Sequence, residues 1–376
     1  MNKFLINASN LHTGGGVQVA ASFIAKVIFL KKNKKNIFFL LSKEVYEALI
    51  ELSKKNKISI NYKIIKSQRF YLPFFKTNNY FNNFKSVFTI FGPFYFWNIP
   101  CKKIVGFAQP WIIYPENECY AMLSVFERVK TRLKYWIQGL FFKSSDVIIV
   151  ELESIKKKLI STLGIQSTRI HVIRNCVSSI YFNKSKWQSL NVPIFKGFLR
   201  IGYLGANYFH KNTAIFYEIT KKLKNLYGIK VFFYVTFTEK EWGRCTQELK
   251  DVCINLGPLQ ITQCPSFYKV MDAMILPSLL ECFSIMPFET MVMKKPLFVS
   301  DRSFNREICG SHAHYFDPLS PENAAKIIYK VFTGSCSKTK ALGLARKHAM
   351  KFSNDKERTE RYFALLTKNK KNINYT

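Results

Sequence analysis

Two glutamates, Glu281 and Glu289, stand eight residues apart where an apolar segment gives way to a helical pattern. The apolar run at 273–276 predicts a strand, and Pro287 suits the first turn of a helix, where a missing N–H costs nothing. Pro296 ends that helix, and a second apolar strand follows it. The pattern therefore places two carboxylates at the carboxyl end of a strand, where open α/β sheets bind ligands.

The backbone at the start of this helix adds a second kind of chemistry. Ser284 is the predicted N-cap, and the N–H groups near Phe283, Ser284 and Ile285 have no partner inside the helix. Such amides bind anions. A nucleotide sugar suits this combination, because its hydroxyl groups can donate hydrogen bonds to the carboxylates and its diphosphate can accept hydrogen bonds from the amides. The alternative is a first-turn glutamate that only stabilises the helix dipole.

A lysine stands at a comparable position after an earlier predicted strand. Residues 199–204 read as a strand, and Lys211 lies just before the helix predicted at 213–226. A cation at a helix start opposes the helix dipole, so its presence favours a functional role. Lys211 is therefore a candidate partner for a diphosphate. The adjacent His210 is the histidine best placed to join such a site.

The rest of the chain alternates apolar strands with amphipathic helices, which is typical of parallel α/β sheets. A length of 376 residues exceeds one typical core, so we predict domains at 1–185 and 186–350, joined through a polar linker at 183–197. A C-terminal helix, which can pack back on the first domain, and a basic tail occupy 351–376. Further predicted strands are 4–7, 37–41, 87–91, 103–107, 147–150, 171–173 and 231–236; further predicted helices are 17–30, 126–142, 154–163, 267–271, 322–333 and 341–352.

The chain is strongly basic, with a formal net charge of +33. Such charge favours nucleic acid, an anionic membrane or phosphate-rich substrates as partners. Lysine clusters at 31–35, 54–57 and 156–158 together suit an anionic membrane surface, and no nucleic-acid-binding motif accompanies them. No apolar stretch approaches the length of a membrane span or a signal peptide. We therefore expect a cytoplasmic protein, either soluble or attached to the inner face of the membrane.

The segment from Glu281 to Glu289 resembles the E-x7-E element of the retaining glycosyltransferases of family 4. The glycine-rich loop at 11–17, the strand and loop at 201–212 and the segment at 315–318 resemble other parts of that family in the same order. The resemblance implies an α/β protein of the GT-B fold, in which two Rossmann-like domains with parallel sheets face each other across a cleft.

The resemblance also implies a role for each matching residue. Glu281 would contact the donor sugar near the reacting carbon, and Lys211 would polarise the leaving diphosphate. Glu289 would bind the ribose hydroxyls of the nucleotide. The other donor-binding residues would be Phe283, Ser284, Ile285, Gly205, Asn207 and His210, and the acceptor-side residues would be Gly14, Gly15, Gly16 and Gln109. Ala206 or Asn207 stands where the family carries an arginine, so Arg174, Arg200 or Arg302 would have to replace that cation.

The implied reaction is retaining transfer of a sugar from a UDP- or GDP-linked donor to a glycan or lipid-linked acceptor. The implied pathway is synthesis of lipopolysaccharide, O-antigen or capsule. No Asp-x-Asp motif stands at a strand end, so we expect no divalent metal and no cofactor besides the donor. Three alternatives stay open: a nucleotide-sugar 2-epimerase of similar fold, a basic nucleic-acid-binding protein, and a non-catalytic member of the family.

Overall fold

The computed structural model describes residues 3–30, 34–53, 60–65, 81–97, 99–334, 338–352 and 354–368. The chain divides into two compact units. The first comprises Met1–Cys176 with Ser353–Thr376, and the second is Val177–Phe352. The basic cluster at 54–57, most of the cluster at 31–35, and the tail after 368 lie outside the described residues.

Each unit is built on one parallel β-sheet. The strands are β1 (Phe4–Ala8), β2 (Ile37–Leu41), β3 (Asn61–Ile64), β4 (Ser86–Thr89), β5 (Lys102–Gly106), β6 (Val147–Val150), β7 (Ile170–Val172), β8 (Phe198–Gly202), β9 (Lys230–Val235), β10 (Cys253–Asn255), β11 (Ala273–Leu276), β12 (Leu297–Ser300) and β13 (His314–Phe316).

The two sheets share one winding pattern. The order is β3-β2-β1-β4-β5-β6-β7 in the first unit and β10-β9-β8-β11-β12-β13 in the second, and every neighbouring pair is parallel. In each unit the chain builds outward on one side, returns to the centre, and builds outward on the other, which is the Rossmann arrangement. Strands β1, β6, β11 and β12 are buried throughout, as expected for strands covered on both faces.

Helices lie between most of the successive strands, and three more follow β13. They are α1 (Gly14–Leu30), α2 (Lys43–Ser53), α3 (Pro110–Ile113), α4 (Glu118–Ala121), α5 (Val125–Lys143), α6 (Glu153–Leu163), α7 (Ile215–Tyr227), α8 (Glu239–Gly243), α9 (Gln247–Val252), α10 (Cys264–Val270), α11 (Met286–Val292), α12 (Ser303–Cys309), α13 (Pro321–Thr333), α14 (Lys338–Met350) and α15 (Asp355–Thr367).

The C-terminal helix α15 belongs to the first unit. It packs against α1 and β4, and Tyr362 makes edge-to-face contacts with Phe23 and Phe88, each with ring centroids 5.2 Å apart. Arg358 is fully buried and donates hydrogen bonds to Asn175 Oδ1 and, at 2.8 Å, to Ser22 Oγ. These contacts fix α15 on the first sheet although it follows the whole second unit in sequence.

The division between the units differs from the predicted boundary at residue 185. It falls between Cys176 and Val177, and the segment predicted as a linker is bonded to the second unit. The Gln188 N–H donates to the Thr262 carbonyl at 2.9 Å, and Tyr234 OH donates to the Pro193 carbonyl at 2.6 Å. Polar composition alone did not reveal these long-range hydrogen bonds.

Candidate functional site

The sheet of the second unit changes its winding direction between β8 and β11. From β8 the chain continues outward to β9 and β10, and from β11 it continues to β12 and β13 on the other side. The loops that leave β8 and β11 therefore diverge, and ligands of open α/β sheets bind at such a switch point. Lys211 lies in the loop after β8 and Glu281 in the loop after β11. The topology brings the two residues predicted to be catalytic to one place.

Lys211 and Glu281 form an ion pair. Lys211 Nζ donates to Glu281 Oε1, and Ser278 Oγ donates to the same oxygen at 2.9 Å. The lysine and glutamate side chains are only 17% and 8% exposed, so solvent screens this pair weakly. The two loops are also joined through the backbone, because the Leu279 N–H donates to the His210 carbonyl at 2.9 Å. The pair thus holds a cation and a carboxylate side by side.

The backbone on both sides of Lys211 fixes the position of its Cα atom. Phe209–Lys211 forms one turn of 3-10 helix, and Asn212 follows in the left-handed conformation with φ 57°. Asparagine tolerates this conformation better than most residues. The Asn212 side chain also donates to the Pro318 carbonyl at 2.8 Å. The residue directly behind Lys211 is therefore anchored.

His210 is a neutral group beside this ion pair. Burial, together with the nearby Lys211 ammonium, lowers the pKa of His210 to about 4 despite the opposing charge of Glu281. The imidazole therefore carries no charge at neutral pH. Its ring stacks on Tyr208 with centroids 5.8 Å apart. A neutral imidazole donates one hydrogen bond and accepts another, so His210 suits a hydroxyl group better than a phosphate.

Gly205 and Asn207 lie in the same loop and are bonded within the second unit. The Gly205 N–H donates to Thr236 Oγ1 at 3.3 Å, and the Asn207 N–H donates to Glu241 Oε1 at 3.0 Å. The Asn207 side chain accepts from Thr213 Oγ1 and donates to a cysteine Sγ at 3.3 Å. Because both ends of its amide are engaged, Asn207 holds the loop in shape ahead of Lys211.

Glu289 is buried on α11 between two tyrosines. Tyr268 OH donates to Glu289 Oε2 at 2.8 Å, and the Tyr181 phenol is a second hydrogen-bond partner. The two phenol rings pack edge to face with centroids 5.8 Å apart. Burial raises the pKa of Glu289 to about 7, although the two phenols act in the opposite direction. The carboxylate expected to bind ribose hydroxyls is thus held by two hydroxyl donors of the protein.

This raised pKa predicts a pH-dependent contribution of Glu289 to stability. Between about pH 4.5 and 7 the folded carboxyl keeps a proton that the unfolded one releases, so its contribution falls as pH rises, by on the order of 3 kcal/mol. The side chain of Glu289→Gln does not titrate, so the variant lacks this pH-dependent loss of stability. The midpoint of thermal unfolding of the variant minus that of the wild type should therefore increase from pH 5 to pH 8. Thermal unfolding at both pH values measures this difference.

The comparison with the wild type isolates the effect of Glu289. Burial also raises the pKa of Glu151, to about 8. Both proteins contain Glu151, so its effect on the unfolding midpoint cancels in the difference between them. Glu322→Gln alters a carboxylate that is 66% exposed and should show no trend. A midpoint difference for Glu289→Gln that stays constant from pH 5 to pH 8 would show that this carboxyl titrates normally.

The helix start after Glu281 differs from the predicted cap. Ile285, not Ser284, is the N-cap of α11; its backbone is helical (φ −80°, ψ −23°) and no side chain caps the helix. The Ser284 prediction was wrong because the first helical hydrogen bond is accepted by the Ile285 carbonyl, from the Glu289 N–H at 3.1 Å. The Phe283 ring stacks on Phe288 with centroids 5.8 Å apart. Within the described residues, the N–H groups of residues 283–285 donate to no backbone carbonyl.

The three arginines considered as replacement cations have different surroundings. Arg200 makes a bidentate pair with Asp272 through Nη2 to Oδ1 at 2.6 Å and Nε to Oδ2 at 3.0 Å, so its charge is already neutralised. Arg174 lies in the first unit. Arg302 follows β12 and directly precedes α12, at the same edge of the second sheet as Lys211. Arg302 is therefore the best placed of the three.

The predicted acceptor-side residues all lie in the first unit. Gly14–Gly16 begin α1, directly after the loop that leaves β1, and Gly14 has φ +68°, which glycine adopts without strain. Gly14 and Gly15 are exposed, with open space where a Cβ would stand. Gln109 precedes α3, and its side chain makes no capping hydrogen bond. All four lie at carboxyl ends of strands in the first sheet.

Sequence reasoning missed three residues that contact the predicted carboxylates. Ser278 has a local signal, because a hydroxyl two residues beyond a buried strand lies at the edge where ligands bind. Tyr181 and Tyr268 have no such signal. They reach Glu289 from segments 108 and 21 positions away, and only the folded packing brings the three together.

Solved structures of the same architecture cover nearly the whole chain. A glycosyltransferase from Rickettsia africae ESF-5 matches with a TM-score of 0.67 and 15% identity, over 99% of this chain and 98% of that protein. Anabaena Alr3699/HepE in complex with UDP-glucose matches with a TM-score of 0.67 and 12% identity, over 98% and 100%. The fold is GT-B. The predicted fold class of two Rossmann-like domains is confirmed, and at these identities the likeness concerns the fold alone.

Sequence comparisons add to the GT-B assignment. Residues 194–348 match the family model of glycosyl transferases group 1, and this range contains both Lys211 and Glu281. A segment of 171 residues is 26% identical to the O-antigen chain mannosyltransferase RfbU of Salmonella typhimurium. That match covers 44% of this chain and spans 45% of the length of the relative. The family model therefore lies within the second unit, in the part of the chain that carries the ion pair.

Proposed function

We propose that the protein is a retaining glycosyltransferase that moves a sugar from a UDP- or GDP-linked donor to a glycan or lipid-linked acceptor. The observation that carries the proposal is the Lys211–Glu281 ion pair at the switch point of the second sheet. A pair this shielded from water adds little net stability, because desolvating both charges offsets their attraction. Its position at the ligand-binding edge therefore favours a role in binding and catalysis.

The donor diphosphate would compete with Glu281 for the Lys211 ammonium. Once Lys211 binds the diphosphate, the Glu281 carboxylate is released to accept hydrogen bonds from sugar hydroxyls. Neutral His210 can bond a further hydroxyl, and the amides of residues 283–285 can donate to phosphate oxygens. Glu289 would bind the ribose. In this proposal the ion pair is the unliganded arrangement of a site that the donor rearranges.

The reaction would exchange one bond at the anomeric carbon. The bond from this carbon to the diphosphate oxygen breaks, and a bond from the same carbon to the acceptor oxygen forms. The departing diphosphate takes up the negative charge and the proton that the acceptor hydroxyl loses. Lys211 would stabilise the charge growing on the diphosphate, and Glu281 the positive charge growing on the sugar. Attack from the side that the diphosphate leaves would retain the anomeric configuration, as the family resemblance implies.

The relatives support the substrate classes in this proposal. The Anabaena protein was crystallised with UDP-glucose, and the Salmonella relative is an O-antigen chain mannosyltransferase. A nucleotide sugar as donor and a cell-surface polysaccharide as product are therefore the classes we assign to this chain. A net charge of +33 suits an acceptor that carries phosphate.

Slow hydrolysis of the donor provides a test that needs no acceptor. Proton NMR can follow the full chain with UDP-glucose, UDP-galactose or GDP-mannose. We expect one nucleotide class to be hydrolysed, with the first-formed free sugar in the anomeric configuration of the donor. A first product of opposite configuration would contradict retention, and conversion to the 2-epimer would indicate an epimerase.

The same assay tests the prediction that no divalent metal is required. The described residues contain no group of three or more His, Cys, Asp or Glu side chains placed to hold a metal ion. The prediction itself rests on the proposal that Lys211 and backbone amides neutralise the diphosphate. The hydrolysis rate should stay within about twofold when EDTA replaces Mg²⁺ in the buffer, since no step assigns charge stabilisation to a metal. A loss of more than tenfold, restored by Mg²⁺ or Mn²⁺, would contradict it.

A further inference from the structure

Helix α5 exposes a row of large apolar side chains on the first unit. Phe126 is 77% exposed and Trp136 is 63% exposed. Single exposed apolar residues are ordinary on protein surfaces, whereas a contiguous group marks an interaction site. The other exposed apolar residues of the row are Val125, Val129, Leu133 and Ile137. We call these six residues the apolar stripe.

The spacing of the stripe follows the helix. From Phe126 the apolar positions recur at steps of three and four residues through Val129 and Leu133 to Trp136 and Ile137, which places them on one side of an α-helix. A helix on a globular surface ordinarily places polar residues there. Helix α5 has the reverse arrangement, with its most solvent-exposed side apolar.

The opposite side of α5 is packed against the first unit. Phe142 contacts Phe107 edge to face with centroids 4.8 Å apart, and Tyr135 stacks on Trp111 with an interplanar angle of 4°. Gly139 is buried against α6, where an added Cβ would approach Leu163 to 3.3 Å. The helix is therefore anchored through one side, and the stripe is a fixed feature of the surface.

Basic residues flank the stripe on both sides. Lys130 and Lys134 are exposed along one border and Arg132 along the other. The helix contains five basic residues and one acid, Glu127, which accepts a hydrogen bond from the Ser124 hydroxyl at the helix start. The net charge of α5 is thus +4, from five positive charges and one negative. An apolar face bordered by lysine and arginine is the pattern of helices that lie in a membrane interface.

We propose that α5 binds the surface of an anionic membrane, with the apolar stripe in the interfacial layer and the flanking cations at the lipid phosphates. A helix of 19 residues is about 28 Å long and would lie parallel to the bilayer. None of the described helices is long and apolar enough to cross a membrane. Such attachment would keep the protein beside a lipid-linked acceptor.

A second copy of the chain fits this surface less well. Pairing two α5 helices through their stripes would bring two +4 segments together within a protein of net charge +33, and that repulsion opposes dimerisation. An anionic bilayer covers the same apolar area and neutralises the cations as well. Charge complementarity therefore selects the membrane.

Vesicle flotation of the full chain tests the proposal without donor or acceptor, so its result is independent of the proposed reaction. We expect binding to vesicles of phosphatidylcholine with phosphatidylglycerol, weaker binding at raised salt, and little binding to phosphatidylcholine alone. The double substitution Phe126→Ser and Trp136→Ser should lower the partition coefficient by about tenfold or more. Lys130→Gln with Lys134→Gln should lower it by about tenfold.

A matched control separates the stripe from general surface hydrophobicity. Phe29→Ser changes an aromatic residue on α1 that is 82% exposed and should leave the partition coefficient unchanged. Circular dichroism should show equal unfolding midpoints for all variants. Absence of wild-type binding, or equal binding by the Phe126→Ser/Trp136→Ser variant, would overturn the proposal. A dimer in sedimentation that the same double substitution dissociates, without vesicle binding, would assign the stripe to a second copy instead.

Discussion

Lys211→Met is expected to lower kcat/KM for sugar transfer by roughly 10²- to 10³-fold, which corresponds to about 3 to 4 kcal/mol of transition-state stabilisation. Methionine keeps much of the length of the side chain but removes the ammonium that would neutralise the departing diphosphate. Because the site is shielded from water, with Lys211 only 17% exposed, solvent cannot replace that charge. Steady-state donor consumption measures the effect.

The control for Lys211→Met is a second lysine–glutamate pair in the same unit. Lys222 Nζ lies 3.4 Å from Glu322 Oε2, and these side chains are 41% and 66% exposed. Lys222→Met removes the same charge from a solvated surface and should change kcat/KM by less than about twofold. A Lys211→Met enzyme that folds normally and keeps its activity would remove Lys211 from the site.

Glu281→Gln is expected to lower kcat by about 10²-fold while the donor dissociation constant changes by less than about threefold. Glutamine can still accept from Ser278 but carries no charge opposite the sugar in the transition state. Loss of the carboxylate also releases Lys211 from its ion pair, so diphosphate binding should not weaken. Single-turnover kinetics and donor titration separate the two quantities.

A contrast with Glu289 makes the Glu281 prediction specific. Glu289→Ala should weaken donor binding, because the ribose would lose its acceptor and Tyr181 and Tyr268 would lose their hydrogen-bond partner. Glu322→Gln, the exposed counterpart, should change neither quantity. Equal effects of Glu281→Gln and Glu289→Ala on donor affinity and on kcat would reject the two separate roles.

Much of the fold could be predicted because the central strands are short apolar runs with sharp ends. The predicted strands 37–41, 147–150 and 273–276 coincide with β2, β6 and β11. Each is bounded by polar residues or proline, which mark its two ends in the sequence. Three edge strands of the described sheets lack this signal. Strands β3, β10 and β13 have only three or four residues, with exposed or half-exposed positions, and sequence reasoning did not predict them.

The sequence predicts which site residues come together only where those residues directly follow a recognisable strand. Lys211 and Glu281 follow the two strands that flank the switch point, so topology alone brings them together. The environment of Glu289 could not be predicted in that way. All seven residues of α11 are buried, so helical periodicity gives no direction for its carboxylate. The two tyrosines that hold it come from separate segments, whose packing depends on the complete second unit.

The decisive measurement is thermal stabilisation of the full chain by a panel of UDP-, GDP-, ADP- and CMP-sugars, with Lys211→Ala measured in parallel. The predicted result is stabilisation by one nucleotide class that is lost in Lys211→Ala and kept in Lys222→Ala. Donor binding at the switch point of the second sheet would then be established, and the nucleotide identified. The absence of stabilisation by any nucleotide sugar, or equal stabilisation of wild type and Lys211→Ala, would contradict the proposed donor site.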